Sequence, residues 1–329
     1  MGFRMRKSIK LAPGVQLNVS KRGLGASVGG GGVRYSAHSS GRRTASARTG
    51  VPGVTYQKSV SGSRTKSSRV RAATPPAPSA PPKPGLFAPR GEKQLYKAIK
   101  ARDAQAIRAV GDEHADFKLP AYSLAGLMML TSDQPTATRL LEQAFALGAD
   151  PAEDAFVRKY LYTQLELTIA QGVTAELPIN RDAVGLALAE LKQDAGEADA
   201  AINVVEQLEP TTYAAVSLAE LYSHMGRHDD VVELTDGIKN EDDATALLLV
   251  YRAVALGEQG HNDAAQEAFK ETLRSRSRAA SVRHLALSER ARNYEAQGKK
   301  AMARKDLERI LAEDSDFEGV RERLASISE

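Results

Sequence analysis

Residues 247–273, LLLVYRAVALGEQGHNDAAQEAFKETL, restrict this chain more than any other stretch. Apolar Leu249, Val250, Ala253, Val254 and Leu256 recur close to the helical period. Gly260 suits the left-handed backbone that ends a helix. A second helix is expected to follow, with Asn262 as its N-cap. The stretch therefore reads as a helical hairpin broken at Gly260 and His261. Ala253 and Ala265 carry almost no side chain, so the two helices can approach closely there, and Phe269 fills the space toward the next hairpin. One hairpin cannot bury both of its apolar faces, so it needs stacked neighbours.

The neighbours are present. Ala253, Leu256, Ala265 and Phe269 stand at −7, −4, +5 and +9 from Gly260. The same offsets from Gly226 give Ala219, Tyr222, Val231 and Thr235, and from Gly298 they give Ala291, Tyr294, Ala303 and Leu307. From Gly196 they give Ala189, Lys192, Ala201 and Val205. Ala125, Met128, Ala137 and Leu141 fit with Ser132 in the glycine place. The pattern, over residues 121–324, resembles the tetratricopeptide repeat, whose period is about 34 residues. The glycine intervals are 30, 34 and 38, and Lys192 and Thr235 stand where a large apolar residue is expected. The resemblance implies a right-handed superhelix with a concave groove that takes a protein or peptide partner. It places that groove on the first helix of each hairpin, where Tyr213, Glu220, His224, Glu258 and Arg292 are the candidate contacts.

Charge divides the chain of 329 residues. Residues 1–91 hold 17 Lys and Arg and no acid, whereas the remainder holds 28 basic and 41 acidic residues. A head without acids creates a positive potential that attracts polyanions, whether nucleic acid, an anionic lipid surface or the acidic body. Arg4, Arg6, Lys7, Lys21, Arg22, Arg34, Arg42 and Arg43 are the candidate polyanion contacts.

Residues 1–60 are Gly-rich with short alternating runs such as VQLNVS and GVTYQKSV, which predict four to six antiparallel strands. Met1 to Arg4, Pro13 and Gly14, Leu17 to Lys21, Val28 and Gly29, and Val51 to Gly53 follow a pattern similar to the bacterial domain of unknown function 4236. That family has no established activity, so the resemblance names a module and supplies no chemistry. Residues 61–91 turn Ser- and basic-rich, then Pro-rich, with seven of the 14 prolines between Pro75 and Pro89. They read as a disordered, partly extended linker.

Further along, residues 92–113 read as a less regular first hairpin, and Pro120, Pro135 and Pro151 sit where helices begin. Residues 161–171 read as the continuation of a long helix, and 172–181 as a looser connection. Residues 317–326 read as a closing cap.

Other constellations carry less. There is no cysteine, hence no disulfide, thiolate metal site or thiol nucleophile. No apolar run of about 18 residues predicts a membrane span. The basic opening lacks the apolar core of a secretory signal, and Arg6 stands where a myristoylation motif needs Ser or Thr. Glycines 29–32 are not followed by the Lys and Ser/Thr of a phosphate loop. His224 and His228 have metal-ligand spacing, but Gly226 divides them. Glu241, Asp242 and Asp243, like Asp229 and Asp230, suit a helix N-terminus better than a cation site.

The expectation is a multidomain α+β chain: a small antiparallel β domain over 1–60, a Pro-rich linker over 61–91, and an all-α tetratricopeptide-like solenoid over 92–329. Its function is expected to be a non-enzymatic protein-interaction scaffold in the cytoplasm, without cofactor or metal, with self-association left open. The alternative is a protein that binds nucleic acid or an anionic membrane through the basic head.

Overall fold

The computed structural model describes the strand residues 6–12, 15–20, 23–30, 33–38, 43–48 and 55–59, together with 82–161 and 164–328. The expected linker lies outside the described residues, apart from 82–91. The chain divides into two units, residues 1–167 with 176–188 and residues 168–175 with 189–329.

Among the described residues of the first unit, six strands run in sequence: β1 (Arg6–Ala12), β2 (Val15–Ser20), β3 (Gly23–Gly30), β4 (Val33–His38), β5 (Arg43–Arg48) and β6 (Thr55–Ser59). Each pairs antiparallel with the next, with registers such as Ile9↔Leu17, Leu17↔Ala26 and Val28↔Tyr35. β1 also pairs antiparallel with β7 (Gln164–Ala170), at Ser8↔Glu166 and Ile9↔Leu165.

β7 corrects a sequence expectation. Residues 161–171 do not continue a helix, and 172–181 is not a loose connection, because β8 (Val173–Pro178) follows. Leu165 and Leu167 are buried while Gln164 is exposed and Glu166 half-exposed, which is a period of two. Ile169, Val173 and Thr174 are β-branched, and Gln171 (φ 44°) with Gly172 (φ 82°) supplies the two left-handed residues of a tight hairpin turn.

The helices of the first unit are α1 (Arg90–Ala101), α2 (Ala104–Glu113), α3 (Lys118–Met129), α4 (Gln134–Ala146), α5 (Ala155–Tyr160) and the start of α6 (Arg181–Asp194). The Asp103 side chain caps α2 by accepting from Ala106 N at 2.9 Å, and Asp133 does the same for α4, with Pro135 in its first turn. Gly126 lets α3 approach α4: a Cβ there would stand 2.7 Å from the Leu141 side chain. Ser132, in the glycine place, closes its turn by donating to Met129 O at 3.1 Å.

The second unit carries α7 (Ala198–Val205), α8 (Thr212–His224), α9 (His228–Leu234), α10 (Asp243–Glu258), α11 (Asn262–Arg274), α12 (Ala280–Ala296), α13 (Lys300–Glu313) and α14 (Val320–Ser328). One backbone device ends each first helix. Gly196, Gly226, Gly260 and Gly298 are left-handed, with φ between 69° and 82°. Each glycine N–H donates to the carbonyl three residues back, and the next N–H donates to the carbonyl of Lys192, Tyr222, Leu256 or Tyr294 at 2.8–2.9 Å. This is a Schellman closure, and it satisfies carbonyls that the helix end leaves bare. It uses the main chain of the −4 residue, which explains how Lys192 can replace an apolar side chain there. Asn262 is not the cap of α11 as expected. His261 takes that place with no side-chain bond, and the Asn262 Oδ1 instead accepts from Asn293 Nδ2 of α12 at 3.1 Å.

The small positions Ala189, Ala201, Ala219, Ala253, Ala265, Ala291 and Ala303 are all buried, as are Val205, Thr235, Phe269 and Leu307 at +9. Thr235 is accommodated because its hydroxyl donates to Val231 O at 2.6 Å. α14 closes the end by burying Val320 against Leu307 and Ile310. Replacing Ala265 by Leu inserts bulk into a filled interface and is expected to cost about 1–3 kcal/mol in chemical denaturation. An unchanged midpoint would mean that α10 and α11 do not meet there.

Candidate partner-binding groove

In the second unit α8 packs against α10 and α10 against α12, so first helices are neighbours. At −13, −9, −6 and −2 from the closing glycine, residues fall within a narrow sector of the helix circumference. In α8 these are Tyr213, Ser217, Glu220 and His224; in α10, Leu247, Tyr251, Val254 and Glu258. In α12, Glu289 and Arg292 hold −9 and −6, and Glu190 of α6 holds −6. The sector is rich in carboxylates.

The expected contacts differ in placement. Tyr213 is half-buried. His224 is exposed and its Nδ1 hydrogen bonds with Gln193 Nε2 at 3.1 Å. Glu258 is exposed. Arg292 is exposed and donates to Glu289 Oε2 at 2.9 Å. Glu220 is the exception: only 4% of it is accessible, and its Oε1 has no hydrogen-bond partner. The Tyr251 hydroxyl, on a residue 8% accessible, lies beside it within hydrogen-bonding reach of the carboxyl. Glu190 at −6, and Tyr251 and Glu289 at −9, carry no local sequence signal that separates them from ordinary solvated or core residues.

Burial raises the Glu220 carboxyl to about 7, and the charge of Glu190 adds to this, while the Tyr251 hydroxyl works against it. Burial also raises Tyr251 well above the usual phenol range, reinforced by Glu220. Glu289 is raised by burial, with Arg292 and Arg323 opposing and Glu258 reinforcing. The common cause is loss of water around a negative charge.

Of the head candidates, Arg6 and Lys7 lie in β1, Arg34 in β4 and Arg43 in β5. Arg4, Lys21, Arg22 and Arg42 lie outside the described residues.

The raised Glu220 carboxyl fixes a sign. The folded chain holds a proton that the unfolded chain, with a value near 4.5, has released. The stability this contributes is present below about 4.5 and is lost as pH rises toward about 7. Glu220→Gln is therefore expected to stabilise the protein at about pH 8 by up to ~3 kcal/mol, and the gain should disappear near about pH 5. Equal denaturation midpoints for the two proteins at both pH values would contradict the assignment.

No curated protein matches the chain. Among solved structures, the chain is similar to the N-terminal domain of the EccA1 ATPase from the ESX-1 secretion system of Mycobacterium tuberculosis, with a TM-score of 0.54 and 14% identity, covering 73% of this chain and 88% of that one. At that identity the likeness is one of fold. A thermophilic tetratricopeptide-repeat protein of Thermus thermophilus gives a TM-score of 0.40 and 14% identity, covering 69% of this chain and 99% of that one. Residues 3–57 match the family described as Protein of unknown function (DUF4236), and the helices of the second unit that follow are arranged as successive hairpins.

Proposed function

We propose that this protein is a non-enzymatic interaction scaffold whose helical-repeat unit holds a protein or peptide partner along the first helices. The observation that carries this reading is the Glu190, Glu220, Glu258 and Glu289 series on those helices, in which Glu220 is a carboxylate at 4% accessibility with no Lys or Arg beside it. A face used only for packing would place apolar residues there, because a buried ionisable group costs several kcal/mol unless it is compensated. Tyr213, His224, Glu258 and Arg292 supply the accessible polar contacts around it. No helix among the described residues is long and apolar enough to cross a membrane.

A second reading rests on the basic head, with its 17 Lys and Arg and no acid before residue 92. Here Arg4, Arg6, Lys7, Lys21, Arg22, Arg34, Arg42 and Arg43 contact a polyanion, either nucleic acid or an anionic membrane, and the repeats act as a spacer. Such binding falls steeply with salt because counterions are released.

One experiment separates the two. The full chain and its Glu258→Lys/Arg292→Glu variant are used to capture partners from cytosol, with and without nuclease and across a salt series. The scaffold reading expects the variant to keep its helical circular dichroism and lose specific protein partners. An identical captured set, removed by nuclease or raised salt, would favour the head.

A further inference from the structure

The turn that leads into α1 carries two apolar side chains that nothing covers. Leu86 and Phe87 are 91% and 102% accessible, whereas the other exposed large apolar residues among those described, Leu147, Met225 and Met302, lie between 45% and 49%. Scattered single apolar residues are ordinary on a surface, but an adjacent, fully exposed pair is not. The pair is also held in place. Leu86 and Phe87 are the central residues of a turn closed by Ala88 N donating to Gly85 O at 3.1 Å. Lys93 Nζ of α1 donates to Leu86 O, which ties the turn to the helix. The helix is in turn seated on its neighbours: a Cβ on Gly91 would stand 2.7 Å from the Phe117 ring, and Leu95 and Ala98 are buried on the same side. The two apolar side chains therefore project from a fixed support.

The outer face of α1 is basic. Arg90, Lys93, Lys97 and Lys100 are all exposed, and at 3.6 residues per turn they fall within a sector of about 80°. The buried residues Gly91, Leu95 and Ala98 occupy the opposite side. The one acid of α1, Glu92, is committed elsewhere: it accepts from the Tyr160 hydroxyl and from Lys159 Nζ at 2.9 Å, and these bonds hold its carboxyl below the usual range. Asp103, the next acid, caps α2. Glu113 and Asp116 adjoin His114 and Phe117, on the side of α1 that Gly91 faces. Lys83 is exposed just before the turn, and no acid occurs in residues 1–91. An apolar tip thus stands at the end of a lysine and arginine stripe.

We propose that this tip and stripe are a docking surface for an anionic lipid bilayer. Leu86 and Phe87 insert at the boundary between headgroups and acyl chains, and Arg90, Lys93, Lys97 and Lys100 lie over the headgroups. The stripe calls for a polyanion. The tip chooses among polyanions: a leucine has no π-face on which a base could stack, and an acidic polypeptide offers no apolar phase to either side chain. A bilayer supplies both, and interfacial binding of this kind adds buried apolar area to attraction for anionic headgroups. The surface belongs to the first unit and does not depend on the first-helix groove.

The chain contains no tryptophan, so Phe87→Trp places a single reporter at the tip, at a site exposed enough to accept it. The full-length variant is mixed with vesicles of phosphatidylcholine alone and of phosphatidylcholine with phosphatidylserine. The expected result is a blue shift of the emission, and quenching by lipids brominated on the acyl chain, with the mixed vesicles only. In vesicle sedimentation, Leu86→Ser/Phe87→Ser and Lys93→Gln/Lys97→Gln/Lys100→Gln should each weaken binding about tenfold or more while the helical circular dichroism is kept. Attraction through the basic head alone would leave the tryptophan emission unchanged and Leu86→Ser/Phe87→Ser at wild-type affinity, and that result would overturn the proposal. Equal binding to both kinds of vesicle would overturn the role of the stripe. The same blue shift with single-stranded RNA or polyglutamate, without lipid, would overturn the lipid assignment, and absence of vesicle binding at low salt would overturn the surface as a whole.

Discussion

Within the second unit the helices meet through alanines. Ala253 and Ala265 in α10 and α11, Ala291 and Ala303 in α12 and α13, and Ala219 in α8 are all without solvent access. A methyl group at these places brings backbones close together, and the +9 position is buried in each hairpin, as large Phe269 in α11 and Leu307 in α13. Burying Phe269 contributes about 2–3 kcal/mol, which is meaningful only because the alanines let the helices close around it. The glycine that follows each first helix makes this repeatable. Its left-handed backbone fixes where one helix stops and the next starts, independently of most side chains.

That constraint leads to the groove. With the closing glycine fixed, each first helix presents the same register to its neighbours. Positions −9 and −6 therefore bring Glu220, Tyr251 and Glu289 together from three helices that are distant in sequence. The fold is held by one set of positions and leaves another set free to differ, so a costly buried carboxylate can be retained in a stable scaffold.

Legibility in the sequence followed the same division. The hairpins could be read because their signal is local: small residues at −7 and +5, a glycine between them, and a large residue at +9. Ser132 shows its limit, since it ends a helix without a left-handed residue and was recognised only by its flanking alanines. β7 is hard to read from the sequence because Leu165 and Leu167 are equally compatible with a helix, and only the turn at Gln171 and Gly172 argues for a hairpin. Asn262 has the side chain of a cap, but the Schellman closure leaves that place to His261. Glu220 falls on the groove face that the repeat resemblance implies, but its burial is not legible in the sequence, because burial depends on neighbouring helices distant in the chain. Tyr251 reads as a core aromatic until its hydroxyl is found beside a carboxylate.

The account depends on Glu220 being a buried group that is poised between charged and neutral near physiological pH. The most direct measurement is a carbon-13 NMR titration of glutamate side-chain carboxyls in the full-length protein, with the Glu220 resonance assigned by its absence in Glu220→Gln. The account predicts a midpoint of about 7 for that resonance. A midpoint near the ordinary 4.5 would show a hydrated carboxylate or one paired with a cation, and would contradict a buried, desolvated Glu220 on the first helices.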